Sequence, residues 1–301
     1  MNLLITGAWG NAVDCLSQIE QDGHVISFLQ FEKDALPCAY EWVEGVICNA
    51  LFLYHPIERF NNLKYIQLTS AGFDRIPMRF IEEHHIELHN ARGVYSVPMA
   101  EFAVSGVLQL YKHSKLFYKN QKFRKWEKCR ELMELQGRTV CIVGCGSVGT
   151  ECAKRFQCFG CNVVGVDVCT RQDVYYSKIL PLEDLNTVLP VTDVLVLTLP
   201  LTEDTRHLIN AERLSILKNS AVLVNIARGA IVDQVALEAA LSKNNLFGAV
   251  LDVFETEPLN SESLLWDMDN VILTPHNSFF GDNNAKRLNE VILTSIKEVG
   301  L

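Results

Sequence analysis

The pattern GxGxxG, formed by Gly144, Gly146 and Gly149, directly follows the apolar run VCIV in this chain of 301 residues. The first glycine permits a tight turn, the second lets the backbone approach a pyrophosphate, and the third lets the next helix pack on the strand. The N-terminal N–H groups of that helix then face the anion. The next apolar run ends at Asp167, 18 residues after Gly149, where a carboxylate can accept hydrogen bonds from both ribose hydroxyls of an adenosine and repel a 2′-phosphate. The sequence therefore predicts a Rossmann-type dinucleotide site that favours NAD, while Arg171, four residues later, keeps NADP from being excluded.

The rest of the chain contains two series of strand-like apolar runs. This agrees with its length, because a chain of 301 residues usually folds around more than one hydrophobic core. After the glycine turn come the runs DVLVLTLP, AVLVNIA, FGAVLDVF and NVILTPH, separated by helical stretches or loops. The amino-terminal third contains the shorter series NLLITGA, HVISFLQ, EGVICNALF, LKYIQLTS and HIELHNA. Because strands that alternate with helices usually pair in parallel, the sequence predicts an α/β protein with two doubly wound parallel sheets.

The segment ITGAWGN, near the start of the chain, resembles a phosphate-binding loop. Its two glycines stand three residues apart, and no acidic residue closes the following strand at the distance that a ribose requires. We therefore interpret this segment as a plain turn from strand to helix.

Two amphipathic helices are predicted outside these series. The first begins at Ser96 and runs through MAEFAVSGVLQLYKHSKLFYKNQ, with Ser96 and Pro98 suited to its first turn. Its apolar residues keep helical spacing, a pattern typical of core, with a subunit interface as the second interpretation. The final segment, NAKRLNEVILTSIKEVGL, predicts a helix that could pack on the first series of strands.

Composition argues against several classes of partner. The formal net charge of −9 disfavours a nucleic-acid backbone, which needs a basic face. No apolar run approaches the roughly 18 residues of a membrane span, and the first residues lack the basic region and cleavage site of a signal peptide, so we expect a cytoplasmic protein. The ten cysteines include CFGC at 158–161, but no clear second ligand pair accompanies it. We therefore expect buried free thiols, which behave as small apolar groups, in a reducing compartment and no metal site.

Charged residues follow three of the predicted strands at their carboxyl ends, where ligands bind in open α/β sheets. The run AVLVNIARG leads to Arg228, GAVLDVFETEP contains Asp252 and Glu257, and NVILTPH ends in His276. An arginine, two carboxylates and a histidine that follow a dinucleotide turn predict a catalytic site.

At these residues the chain resembles the D-isomer-specific 2-hydroxyacid dehydrogenase family, in a short, phosphoglycerate dehydrogenase-like form without a regulatory domain. The resemblance extends over nearly the whole chain and includes LPLTEDTRHLIN, LVNIARGAIVDQVALEAAL, GAVLDVFETEPL, TPH, TSAGFDRI and NARGVYSVPMAEF. It implies a Rossmann NAD-binding domain of residues 96–281, inserted into a flavodoxin-like substrate domain formed by residues 1–95 and 282–301. It also implies a homodimer formed through the helix that begins at Ser96.

The resemblance assigns roles to individual residues. It implies that His276 is the general acid that protonates the substrate carbonyl as hydride arrives, and the base in the reverse direction. Glu257 would hold the other ring nitrogen and fix its tautomer; we prefer it over Glu255 because it directly precedes Pro258, as in the family. Arg228 would clamp the adjacent oxygens of a 2-oxo acid and polarise its carbonyl.

Further residues are implied to bind the ligands. Asp252 resembles the residue that holds the nicotinamide carboxamide, and the backbone N–H groups of Ala71 and Gly72 correspond to a cradle for the substrate carboxylate. The implied cofactor-binding set is Gly144, Gly146, Ser147, Val148, Gly149, Asp167, Pro200, Thr205, Ala227 and Asp252.

The sequence thus predicts an NAD-dependent oxidoreductase that interconverts a small 2-oxo acid and its D-2-hydroxy acid. The alternative is an NAD(H)-sensing interaction protein of the corepressor type, which keeps the fold and the nucleotide site without significant turnover. Phe279 and Phe280 follow the histidine where family members often carry small residues, so the size of the substrate stays open. Arg75 and Arg92 could reach a distal phosphate or second carboxylate, or be plain surface charges.

Overall fold

The computed structural model describes residues 1–299, which form two compact units. The smaller unit comprises Met1–Tyr95 and residues 281–299, and the larger unit comprises Ser96–Phe280. Each unit contains a parallel β-sheet and helices, which confirms the predicted α/β class with two parallel sheets. Residues 300 and 301, the end of the predicted segment 282–301, lie outside the described residues.

The smaller unit is built on five strands, which correspond to the five apolar runs of the amino-terminal third. They are β1 (Asn2–Thr6), β2 (Val25–Leu29), β3 (Gly45–Cys48), β4 (Tyr65–Leu68) and β5 (Glu87–His89). Within the described chain, their order in the sheet is β2-β1-β3-β4-β5 and every neighbouring pair is parallel. This is the flavodoxin-like order, as predicted. The helices of this unit are α1 (Leu16–Gln21), α2 (Met78–Glu83) and α9 (Asn284–Val299).

The final helix α9 packs on this sheet through an apolar face with i, i+4 spacing, as the sequence predicts. Leu288, Ile292 and Ile296 are buried in one cluster with the side chains of β1. The hydroxyl groups of Tyr65 and Ser295 are 2.8 Å apart and share a buried hydrogen bond, which ties the helix to β4.

The larger unit has seven described strands in the Rossmann arrangement. They are β6 (Thr139–Val143), β7 (Asn162–Asp167), β8 (Lys178–Pro181), β9 (Val194–Leu197), β10 (Val222–Asn225), β11 (Gly248–Leu251) and β12 (Val271–Leu273). The sheet order is β12-β11-β10-β9-β6-β7-β8, all parallel, so the direction of winding changes between β6 and β9. Dinucleotides bind at this kind of reversal.

The helices of the larger unit are α3 (Ser96–Tyr111), α4 (Ser114–Lys122), α5 (Ser147–Cys158), α6 (Leu185–Val188), α7 (Ala211–Ile216) and α8 (Gln234–Ser242). The stripe of α3 is core, as predicted, and its Gly106 approaches the sheet so closely that an added Cβ would lie 2.5 Å from Val250 Cγ1. None of the helices between residues 1 and 299 combines the length and hydropathy that a bilayer span requires.

Two local predictions for the larger unit are wrong. Strand β8 was not predicted, because this edge strand has four residues and is only partly buried, so it leaves no clear apolar run. The helix predicted to run without a break from Ser96 is two helices, divided at His113, which has a left-handed backbone (φ 49°). The His113 ring packs edge-on against Phe247, and such a tertiary contact leaves no signal in the local sequence.

Candidate active site

The predicted catalytic residues of the larger unit follow three neighbouring parallel strands. Arg228 follows β10, Asp252 and Glu257 follow β11, and His276 follows β12. Because the carboxyl ends of parallel strands meet at one edge of a sheet, these segments leave the sheet on the same side. The structure therefore brings all four residues to one end of this unit.

The imidazole of His276 is paired with the carboxylate of Glu257. Nδ1 of the ring lies 2.9 Å from Oε2 of Glu257, while Oε1 of the same carboxylate accepts a hydrogen bond from the Phe254 N–H at 3.1 Å. The ring of Phe279 packs edge-on against the imidazole, with centroids 6.0 Å apart. A carboxylate only accepts, so it fixes the hydrogen on Nδ1 and leaves the exchange of a proton with a ligand to Nε2. Both side chains are about two-fifths exposed, so a ligand can reach the pair.

Asp252 holds the turn that carries His276. Its carboxylate is buried and accepts hydrogen bonds from Thr274 Oγ1 (2.6 Å), Asn277 N–H (2.7 Å) and Ser278 N–H (2.9 Å). Its backbone carbonyl accepts a further bond from the His276 N–H at 2.7 Å. These contacts stabilise a left-handed backbone at His276 (φ 53°), a conformation that ordinary residues rarely adopt. This anchoring role was missed by the sequence analysis; the nicotinamide contact of Asp252 stays a prediction.

The backbone around Arg228 is braced by Asn225, a buried residue at the end of β10 that the sequence analysis did not single out. The Asn225 side chain accepts a hydrogen bond from the Ala227 N–H (3.1 Å) and donates one to the Arg228 carbonyl (3.0 Å). The guanidinium of Arg228 donates to the Ala227 carbonyl at 2.8 Å and is half-buried. The arginine is thus presented from a fixed turn.

The loop that carries Glu257 lies against the Arg228 turn at Gly229. A Cβ at Gly229 would lie 1.8 Å from the carbonyl carbon of Phe254, so only glycine permits this approach. Glu255 secures the same loop from another side, because its carboxylate accepts a hydrogen bond from the Gln234 N–H at the start of α8 (2.9 Å). The structure thus places Glu257, and not its competitor Glu255, at the imidazole.

His207 is the second partner of Glu255. Its buried Nε2 lies 3.1 Å from the carboxylate, although the angle is not that of a hydrogen bond, so the contact becomes an ion pair only when the ring is protonated. No local pattern connects these two residues, which are 48 positions apart.

The glycine turn has the geometry that a dinucleotide requires. Gly144 has a left-handed backbone (φ 93°), and a Cβ at Gly149 would lie 2.1 Å from the Gly144 carbonyl oxygen, so α5 begins tightly against the turn. Around a Cβ added to Gly146, in contrast, no atom of residues 1–299 lies within 4 Å, apart from Gly146 itself and its two neighbours in the chain. Ser147 and Val148 form the first turn of α5, where N–H groups can face an anion. The turn therefore fits a bound pyrophosphate.

Asp167 and Arg171 lie beside this turn. The Asp167 carboxylate accepts hydrogen bonds from the N–H groups of Cys145 (2.5 Å) and Cys169 (3.0 Å), and the Arg171 guanidinium donates to the Cys145 carbonyl. An acceptor and a cation thus stand together at the expected ribose position. Burial raises the pKa of the Cys145 thiol to about 11, so this cysteine stays protonated at neutral pH and packs as a small apolar group.

The remaining cofactor candidates also follow strands of the larger sheet. Pro200 and Thr205 lie in the loop after β9, where Thr205 Oγ1 donates to the Pro200 carbonyl at 2.8 Å. Ala227 is buried just after β10. Since β6, β7, β9 and β10 are parallel, the structure brings these residues to the same edge of the sheet as the glycine turn.

Ala71 and Gly72 lie in the smaller unit, in the loop after β4. Their carbonyl oxygens are held by Asn90 Nδ2 (2.7 Å, to Ala71) and Ser70 Oγ (3.1 Å, to Gly72). The loop is therefore fixed within its own unit. Arg75 follows in the same loop, with an exposed side chain.

The cysteines are all free, and six of them are buried. In the predicted CFGC segment, Cys158 is exposed and Cys161 is buried. Across the described part of the chain, no three His, Cys, Asp or Glu side chains are grouped in a way that could hold a metal ion.

Comparison with known proteins agrees with this geometry. A sequence model described as "D-isomer specific 2-hydroxyacid dehydrogenase, NAD binding domain" matches residues 104–278. Glyoxylate reductase from Thermofilum pendens is 37% identical over 254 residues, which cover 81% of this chain and 72% of that protein. D-3-phosphoglycerate dehydrogenase from Methanocaldococcus jannaschii is 33% identical over 245 residues, which cover 81% of this chain but 47% of that protein. The chain thus spans about half of this second relative's length.

A solved structure extends the similarity to the whole fold. The crystal structure of a D-isomer specific 2-hydroxyacid dehydrogenase family protein from Aeromonas salmonicida subsp. salmonicida A449 matches with a TM-score of 0.81 and 31% identity. The match covers 98% of this chain and 95% of that one, so it includes both units.

The anchoring role of Asp252 can be tested through stability. We expect Asp252→Asn to lower the free energy of unfolding by about 2–4 kcal/mol, because the amide NH₂ would face donors in a buried place. Urea unfolding followed by circular dichroism measures this change. Asp267→Asn removes the same charge from an exposed position and should stay within about 0.5 kcal/mol of the parent protein. Equal stabilities for the two variants would contradict the anchoring role.

Proposed function

Because the chain belongs to the D-isomer-specific 2-hydroxyacid dehydrogenase family, we propose that it transfers a hydride between NAD(H) and a small 2-oxo acid, which becomes the D-2-hydroxy acid. The observation that supports this reaction most is the His276–Glu257 pair, at 2.9 Å, in the same unit as a complete glycine turn. We propose that the larger unit is the NAD-binding domain and that the smaller unit is the substrate domain.

The side chains of this protein would donate or accept the proton and stabilise the charge that develops during the reaction. When NADH is bound, it supplies a hydride to the carbonyl carbon. His276 donates a proton from Nε2 to the carbonyl oxygen, which completes the hydroxyl group, and it recovers the proton from solvent; in the oxidation it takes the hydroxyl proton instead. Glu257 keeps the ring oriented and stabilises the protonated form that must donate.

Arg228 and the smaller unit would orient the 2-oxo acid. A guanidinium is planar and always charged, so Arg228 can donate to the carboxylate and carbonyl oxygens together and withdraw electron density from the carbonyl. The N–H groups of Ala71 and Gly72 would bind the carboxylate from the smaller unit. Asp252 would contribute through the turn that holds His276, in addition to any contact with the nicotinamide.

The substrate class is supported to the level of a small 2-oxo acid. The two relatives named above act, by their names, on glyoxylate and on phosphoglycerate, which differ in whether the molecule carries a second anionic group. Both relatives are named as enzymes, which favours catalysis over the NAD(H)-sensing interaction protein. For the location, we propose the cytoplasm, because free, buried thiols such as Cys141 and Cys152 are typical of a reducing compartment.

Turnover can be tested with a panel of glyoxylate, hydroxypyruvate, pyruvate and branched 2-oxo acids, with NADH oxidation followed by absorbance. We expect turnover of at least one small member and a loss of about 10²–10⁴-fold in kcat for His276→Ala, the range of general acid catalysis. His84→Ala changes an exposed histidine of the smaller unit and should keep full activity. The reaction would be refuted by a His276→Ala variant as active as the parent. A folded protein that binds NADH and turns over nothing would favour the interaction protein.

We propose that NAD is preferred over NADP, because the Asp167 carboxylate lies beside the glycine turn, where it would repel a 2′-phosphate, and Arg171 would compensate only in part. We expect Asp167→Asn to shift the ratio of kcat/KM for NADPH over NADH upward by about tenfold, which corresponds to about 1.4 kcal/mol of lost repulsion. Arg171→Ala should lower the same ratio. Steady-state kinetics with both cofactors measure these shifts, and a parent protein that prefers NADPH would contradict the assignment.

We also propose a homodimer formed through the region of α3 and α4. The support is a group of exposed apolar side chains on α4 and just after it: Leu116, Phe117, Tyr118, Phe123 and Trp126. The side chain of Trp126 is 98% exposed. In a monomer this large apolar surface would stay in contact with water, which is unfavourable.

Sedimentation velocity tests the dimer. We expect a dimer for the parent protein and a monomer, or a Kd raised at least tenfold, for the double variant Phe123→Ser, Trp126→Ser, because both changes remove apolar area. Val13→Ser changes a side chain of similar exposure in the smaller unit and should remain dimeric. A monomeric parent protein would exclude the dimer. A dimer that the double variant leaves unaffected would mean that the interface lies elsewhere.

A further inference from the structure

The smaller unit has its own ligand crevice by topology. In the order β2-β1-β3-β4-β5 the direction of winding reverses between β1 and β3, and ligands of such sheets bind beyond the carboxyl ends of these two strands. Thr6 is the last residue of β1, while Asn49 and Ala50 directly follow β3. The groups that surround this point therefore decide what the crevice can accept.

A carboxylate of the chain itself occupies the donors of this crevice. Oε1 of Glu32 accepts hydrogen bonds from Thr6 Oγ1 (2.8 Å) and from the Asn49 N–H (2.7 Å), and Oε2 accepts one from the Ala50 N–H (2.7 Å). Successive N–H groups of this kind are what a protein uses to bind an anionic ligand. Here they are already satisfied by an internal anion.

Glu32 is a fixed part of the unit. The buried imidazole of His55 donates from Nε2 to the carbonyl oxygens of Glu32 (3.0 Å) and Asp34 (3.1 Å), and its Nδ1 lies 3.0 Å from the Tyr40 hydroxyl. The guanidinium of Arg59 covers the Tyr40 ring at 3.8 Å. The segment that carries Glu32 is therefore held by side chains as well as by its own carboxylate, and its negative charge has a defined place.

The side chain of Asn49 adds a second acceptor. Its Oδ1 is buried and has no hydrogen-bond partner within residues 1–299. A buried acceptor without a donor is unfavourable, so a ligand hydroxyl at this position would be stabilised. Glu32 and Asn49 together present acceptors, which suit a donor and repel an anion.

This acceptor group lies beside the loop that contains Ala71 and Gly72. β3 and β4 are paired with Cys48 opposite Leu68, and the Thr69 N–H donates to the Cys48 carbonyl at 2.8 Å. The turn after β3 is thus about one strand spacing, roughly 5 Å, from the loop after β4. A small acid whose carboxylate is bound by that loop can reach the turn with its other end.

We propose that Glu32 and Asn49 set the substrate class: 2-oxo acids whose third carbon is absent or carries a neutral hydroxyl are accepted, and those with a second anionic group are rejected. This inference rests on the proposed function, since it assumes that the Ala71–Gly72 loop binds the substrate carboxylate. The exposed guanidinium groups of Arg75 and Arg92 offset the repulsion little, because water and salt screen exposed charges.

The test compares hydroxypyruvate with 3-phosphohydroxypyruvate, which differ only by the phosphate. With NADH, we expect the parent protein to show at least tenfold higher kcat/KM for hydroxypyruvate, and this ratio to shrink as ionic strength rises from about 0.05 to about 0.5 M, because salt screens repulsion between like charges. Glu32→Gln keeps the shape and removes the charge, so it should reduce the ratio about tenfold. Glu58→Gln removes the same charge from an exposed position in the same unit and should leave the ratio unchanged.

The role of Asn49 has a separate readout. Asn49→Ala should lower kcat/KM about fivefold to tenfold for hydroxypyruvate, which has a hydroxyl to donate, and much less for glyoxylate, which has none. Equal losses for the two substrates would mean that Asn49 acts only on the fold.

The outcomes separate this inference from the reaction itself. If no 2-oxo acid is turned over, the proposed function fails. If hydroxypyruvate and 3-phosphohydroxypyruvate are both reduced and the phosphorylated acid is the better substrate, the reaction stands and the role of Glu32 is overturned. The same holds if Glu32→Gln leaves the ratio unchanged. Should Glu32→Gln not fold, the parent protein still tests the role of Glu32, through its ratio of kcat/KM for the two substrates and the dependence of this ratio on salt.

Discussion

The geometry of the candidate active site in the larger unit depends on the buried carboxylate of Asp252. A carboxylate loses its hydration on burial, and this loss is tolerated only where donors replace the water. Here the donors are Thr274, Asn277 and Ser278, all within five residues along the chain. Their convergence on one anion closes a turn around His276 and holds its backbone in the left-handed region. The position of the imidazole thus depends on the hydrogen bonds of Asp252, which do not involve the imidazole ring itself.

Three carboxylates that follow β11 have different structural roles. Asp252 closes the histidine turn, Glu255 accepts from the N-terminus of α8, and Glu257 accepts from the imidazole. Each carboxylate is distinguished by its donors, since the residue types are nearly identical. The loop can serve all three because Gly229 lets it lie against the neighbouring turn, where a Cβ would overlap the backbone of Phe254. A side chain at position 229 would therefore disturb the site without touching a ligand.

Much of the fold was predictable from the sequence, because a buried parallel strand leaves a continuous apolar run and a glycine turn leaves fixed spacing. The runs that became β6, β9 and β10 show this, and the residues that follow such strands identify the site edge. Contacts between distant residues leave no such local signal. The roles of Asn225 and Gly229 and the break at His113 are defined by neighbours in space, and for this reason they were not predicted.

The two units use the same topological position for opposite chemistry. After β6, a Cβ at Gly146 would meet no described residue within 4 Å except its own chain neighbours, and the start of α5 is open to an anion. After β1, a Cβ at Gly7 would lie 2.3 Å from the Gln30 carbonyl oxygen, and Glu32 occupies the donors at the end of β3. The segment after β2 thus fills the space that a pyrophosphate would need, which is the physical reason that ITGAWGN is a plain turn. The open glycine turn of the larger unit therefore fits a dinucleotide, whereas in the smaller unit the Glu32 carboxylate already binds the donors at the corresponding crevice.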